Sequence, residues 1–148
     1  MSSLTVPPED DTYRSVGYAL KRAQQALRAH LDAELRTIGL TTPQYSVLAG
    51  LERSESLSNA ELARQAFVTP QTMQAIVVGL ERDGLVKRAA HPLHGRVLTT
   101  NLTQEGRSVV QEAHKIAARA ETLVRNAVAP DDPEVIYAAL LRIADGMP

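Results

Sequence analysis

Two helix-start signals follow one another so closely that only a short helix and a tight turn fit between them. The first is Ser58-Asn59-Ala60-Glu61, a capping box in which the serine and the glutamate each take a backbone N–H that the helix cannot satisfy. Leu57 and Leu62 flank it as a hydrophobic staple. The second is Thr69-Pro70, a capping oxygen followed by a proline suited to the first helical position. The pattern predicts a helix over about Asn59 to Gln65, a connector Ala66-Phe67-Val68, and a second helix from Thr69 to Asp83 that stops at Gly84.

Two short strands should follow, Leu85 to Arg88 and Val97 to Leu102, with Leu98, Thr100 and Leu102 on one face by period two. Between them His91-Pro92-Leu93-His94-Gly95-Arg96 reads as a hairpin tip, with Gly95 allowing a sharp turn. Helix, turn, helix and hairpin make a winged helix-turn-helix, so the expected fold is mainly α with a small β-hairpin wing. A major groove about 12 Å wide admits one helix, which must be held from behind and polar in front. In the second helix Met73, Ile76, Val77 and Leu80 recur at core spacing, while Gln71, Gln74 and Ala75 lie opposite, with Pro70 and Thr72 near the first turn. Glutamine can contact adenine through two bonds, Thr69 and Thr72 can bond a base edge or a phosphate, and the helix N-terminus favours an anion.

Charge is segregated in the same way. The net charge is −1, but phosphate binding depends on local charge. From Leu62 to Gln104 the only acids are Glu81 and Asp83, against Arg64, Arg82, Lys87, Arg88 and Arg96. Lys87 and Arg88 at the wing base suit phosphates, and Arg96 at the tip suits a backbone or minor groove.

The flanks read as long helices. Val16, Leu20, Ala23, Leu27, Leu31 and Leu35 form one stripe, closed by Gly39 with Leu40 behind it. Thr42-Pro43 starts the next helix. Thr103 caps a helix to about Val128 with Val109, Ala113, Ile116, Ala120, Leu123 and Ala127 inward, and Asp132-Pro133 starts a last helix bearing Ile136, Tyr137, Leu140, Leu141 and Ile143. These stripes exceed what a lone winged-helix core can cover, which predicts a homodimer. The expected organisation is a loose arm over 1–11 and a single domain over 12–148. Within it lie a DNA-binding lobe over about 42–102 and dimerisation helices over 12–38 and 103–146.

The ordered blocks resemble the multiple-antibiotic-resistance regulator (MarR) family. Gly39-Leu40-Thr41-Thr42-Pro43-Gln44-Tyr45 is similar to the start of its second helix, and Glu61-Leu62-Ala63 with Val68-Thr69-Pro70-Gln71-Thr72 to its helix-turn-helix. Leu80-Glu81-Arg82-Asp83-Gly84-Leu85-Val86-Lys87-Arg88 looks like the recognition-helix exit and first wing strand. Gly95-Arg96 and Leu102-Thr103-Gln104-Glu105-Gly106 look like the wing tip and the start of the long helix. The resemblance implies a dimeric repressor on a palindromic double-stranded operator, released by a small aromatic or amphipathic ligand held between dimer helices and lobe. For that ligand the sequence nominates only Tyr45 and His30. Where the family usually has an acid two places before the tip arginine, this chain has His94. A histidine cannot hold Arg96 by the charge-assisted bond an aspartate makes, but it can add a proton-dependent phosphate contact. Gly79 stands where helix formers are normal, and close backbone approach is one reading of it.

The chain has no cysteine, which excludes disulfides, thiol redox sensing and thiolate metal sites. Neither a basic, apolar leader nor a run near the roughly 20 apolar residues of a membrane span occurs, so a cytoplasmic protein is expected. His91 and His94 lie on a loop without a nearby carboxylate, and no metal or cofactor is expected. No phosphate loop, nucleophile elbow or acid–base grouping points to an enzyme. The competing readings are a winged-helix module that docks proteins without binding DNA, and a metal-dependent regulator.

Overall fold

The computed structural model describes residues 14–148; the arm expected over 1–11 lies outside the described residues. The elements run α1 (Val16–Arg36), α2 (Thr42–Arg53), β1 (Leu57–Ser58), α3 (Asn59–Ala66), α4 (Pro70–Arg82), β2 (Val86–Ala90), β3 (Leu98–Leu102), α5 (Gln104–Ala127) and α6 (Pro133–Gly146). The fold is therefore mainly helical with a small antiparallel sheet, as the sequence led us to expect. No helix among the described residues is long and apolar enough to cross a membrane.

The local signals act where they stand. Ser58 and Glu61 form the capping box of α3 in both directions. Gly39 and Gly84 close α1 and α4 in left-handed conformation, φ 78° and 76°. In each case the following leucine N–H reaches back, Leu40 to the Leu35 carbonyl and Leu85 to that of Leu80, both at 3.0 Å. The cap of α2 is one residue earlier than expected. Thr41 makes the capping box with Gln44, whereas the Thr42 hydroxyl and N–H bond the Asp32 carboxylate on α1. A partner on a neighbouring helix thus decides between two adjacent threonines.

The sheet has three strands in the order β1-β3-β2, where the sequence suggested two. Leu57 and Ser58 pair with Thr100 and Thr99. A strand of two residues has no periodicity to read, and the cap signal at Ser58 masks it. With partners on both sides, β3 departs from simple alternation. Thr100 and Leu102 face inward, Thr99 is buried too with its hydroxyl aimed at the Ala89 carbonyl, and Leu98, expected inside, is half exposed beyond the core.

The core is built by α1, α2, α3, α4, β2, β3 and α5, with Leu35, Leu48, Leu62, Met73, Leu80 and Val110 at its centre. Val110, absent from the expected stripe, is fully buried; Leu123, expected inside, is exposed. On α1 only Leu35 is buried, and on α6 nothing is. Thr103 fastens three elements at one point. Its hydroxyl donates to the Gly84 carbonyl at 2.7 Å and accepts from the Gly106 N–H at 3.0 Å, and its own N–H reaches the Leu85 carbonyl at 3.1 Å. Gly106 is required there because a Cβ would collide with the Leu85 carbonyl. At Gly79 a Cβ would meet only the end of Arg82, at 3.8 Å, so the close backbone approach considered for it is not found.

Candidate nucleic-acid interface

The first turn of α4 is held from three sides. The Thr69 oxygen accepts the Thr72 N–H at 3.1 Å, and the two hydroxyls lie 3.0 Å apart. Asn59 on α3 donates to the Pro70 carbonyl at 2.8 Å. Behind, Met73, Val77 and Leu80 are fully buried. Gln71, Thr72, Gln74 and Ala75 are exposed in front, joined by Val78, which the pattern did not single out. With no acid in the first turn and a proline at its start, the positive end of the helix dipole is unopposed. The result is a rigid rod with two outward amides, able to read base edges.

The wing stands beside it. Lys87 is exposed and makes no ion pair among the described residues. Arg88, expected on phosphate, has another partner. Its guanidinium lies 3.1 Å from Glu81 Oε1 and its backbone N–H 3.3 Å from Oε2, with the arginine side chain only 21% exposed. This bond holds the Glu81 carboxyl below its ordinary range. Arg88 therefore braces the wing against the end of α4, a pairing across two elements that charge counting does not reveal.

The tip is organised by His91. Its Nδ1 accepts the Leu93 and His94 N–H groups at 3.0 and 3.1 Å, which places the ring proton on Nε2. The His91 N–H donates to the Val97 carbonyl and the Val97 N–H to that of His94, at 2.7 and 2.8 Å. Gly95 is not left-handed, so the tip does not depend on glycine there. Arg96 and His94 are exposed, and among the described residues Arg96 has neither an acid nor a carbonyl partner. Lys87 and Arg96 are thus the cations that the wing presents unneutralised.

The residues nominated for a ligand lie apart. His30 borders an apolar hollow of about 300 Å³ between α1 and α5, with Leu27 and Leu123. Tyr45 belongs to a polar chain that crosses from α2 to α5. Its hydroxyl is 2.7 Å from His114 Nδ1, His114 Nε2 is 2.9 Å from Glu52 Oε1, and Gln111 donates to Glu52 Oε2 at 2.8 Å. Burial, and secondarily Glu52, pushes the Tyr45 hydroxyl above its ordinary pKa. His114 is not legible as part of this polar chain from the sequence, because its partners Tyr45 and Glu52 are 69 and 62 residues away. No group of three or more metal-ligating side chains occurs among the described residues.

Comparison with known proteins places this geometry. A family model described as MarR family matches residues 38–97. The HTH-type transcriptional repressor Rv2887 of Mycobacterium tuberculosis is 41% identical, over 74% of this chain and 78% of that protein. A structure of the M. tuberculosis protein with salicylic acid superposes with TM-score 0.71 at 35% identity, over 87% of this chain and 96% of that one. The repressor CouR on a 23-mer DNA duplex superposes with TM-score 0.80 at 29% identity, over 88% and 92%.

Proposed function

From the premise that this chain belongs to the MarR family, we propose that it is a cytoplasmic, dimeric repressor that binds a palindromic operator and releases it when a small aromatic ligand binds. The observation that carries this reading is the pairing of an outward amide face on α4 with the unneutralised cations of the wing. Gln71 and Gln74 read bases, with Thr72 beside them. Thr69 caps the helix and presents its N-terminus to phosphate. Lys87, Arg96 and His94 serve phosphates or the minor groove, and Arg88 holds the wing in place. Two-fold symmetry sets the half-sites about 34 Å apart or a multiple of that.

The relatives support the regulatory half. CouR was captured on duplex DNA and the M. tuberculosis relative with salicylic acid. In this chain the Tyr45–His114–Glu52 chain and the hollow at His30 both lie where the lobe or α1 meets α5, so an aromatic acid bound beside either would act on the spacing of the lobes. It does so by binding the two spacings unequally.

The test is binding of labelled duplex from the protein's own promoter region, with a scrambled duplex as control, across a salt series and with salicylate-like acids added. Specific, salt-sensitive binding that the acids weaken supports the proposal. Equal affinity for both duplexes refutes operator recognition, and acids that bind the protein without weakening its hold on DNA refute the ligand response.

A further inference from the structure

Phe67 is the only phenylalanine in the chain, and the fold places it under two unfavourable conditions at once. Its backbone is left-handed, φ 56°, at the C-cap of α3, a conformation glycine takes freely and bulky residues rarely adopt. Its side chain is 95% exposed. Neither condition serves the fold. The turn is closed by backbone bonds that any residue makes, Phe67 N–H to the Arg64 carbonyl at 3.3 Å and Val68 N–H to that of Ala63 at 3.1 Å. Its apolar seal is the neighbouring Val68, which packs on the core. An outlier of this kind, kept without structural return, points to function.

Its place narrows the function. Phe67 lies two residues before the cap of α4 and, with Thr72, borders an open hollow whose far side is formed by α1 and α2. The exposed ring thus stands next to the helix turn assigned above to the major groove. It has no charge or donor for a phosphate. The apolar group that the major groove presents is the thymine C5-methyl, against which a phenylalanine packs. We propose that Phe67 is a base-reading residue, laying its ring on a thymine methyl at the edge of the tract read by α4. This rests on the duplex-binding reading above, and extends that recognition beyond the helix itself.

The experiment selects a duplex from a random pool with the parent protein, then replaces each thymine in turn by deoxyuridine, which lacks only the methyl. Parent and Phe67→Gly are titrated on every duplex, and their thermal midpoints are compared. Glycine fits the left-handed backbone, so Phe67→Gly should melt at or above the parent temperature. For the parent, one symmetric thymine pair should be sensitive, by about fourfold per half-site for one methyl-sized group left in water. Phe67→Gly should lose at least as much affinity on the thymine duplex and show no further loss with deoxyuridine. The inference is overturned if Phe67→Gly binds like the parent, or if its deoxyuridine sensitivities are unchanged. If the parent selects no duplex at all, the duplex-binding reading fails and takes this inference with it.

Discussion

Lys87 and Arg88 are neighbours in sequence with different uses, and substitution should separate them. Lys87→Ala removes an exposed, unpaired cation. It should weaken binding to all duplexes alike, lower the salt slope by about one phosphate and leave the melting temperature unchanged. Arg88→Ala breaks the brace to Glu81, so it should lower specific affinity and also loosen the wing, seen as faster amide exchange in β2. Gln74→Ala should instead relax preference at one base pair, by about 1–3 kcal/mol for a lost two-bond contact. Anisotropy titrations on selected and random duplexes check all three, and identical curves would refute the assigned roles. The outward residues Gln71, Thr72 and Gln74 were legible in the sequence because helical periodicity alone decides which side faces out. The partners of Arg88 and of Tyr45 were not, since each sits on a different element and only the folded path brings it near.

At the scale of elements, two glycines should respond in opposite ways. Gly79→Ala in α4 meets no obstruction and should stabilise the protein by about 1 kcal/mol. Gly106→Ala drives a methyl into the Leu85 carbonyl and should destabilise by about 3 kcal/mol; denaturant titration measures both. The junction of α1 with α2 carries a pH dependence. The Thr42 hydroxyl, above all, holds the Asp32 carboxyl below its ordinary value of 3.8. The folded form thus keeps the charge to lower pH than the unfolded chain. Its contribution is complete above that value, declines as pH falls below it and is gone under the folded pKa. Asp32→Asn should therefore flatten the fall of the melting temperature below about pH 4, and an unchanged acid limb would contradict this. Helices were legible because caps such as Ser58, Thr69 and Thr103 are local chemistry. The cap of α2 and strand β1 were not, because Asp32 and Thr100, which settle them, sit on other elements that only the folded path brings near.

At the scale of the whole molecule, α6 exposes Val135, Tyr137, Leu140 and Leu141, and α5 exposes Leu123 and Val124. A second copy of the chain covering these faces predicts a dimer in sedimentation at micromolar concentration and a melting temperature that rises with concentration. Tyr137→Glu with Leu140→Glu should give a monomer with weakened operator binding; a parent that sediments as a monomer would refute the arrangement. The need for such cover was legible in the apolar stripes of the sequence, because α6 could not bury its own. The fastening at Thr103 has a mechanical consequence for such a dimer. It joins the end of α4 and the wing base to one tip of α5, while the other tip carries the exposed apolar face. With 24 residues, α5 is a stiff lever arm of about 36 Å. A swing of about 5° at the dimer end would carry the wing base through about 3 Å, the length of a hydrogen bond, so leverage converts a small displacement at the pivot into lost contact at the groove.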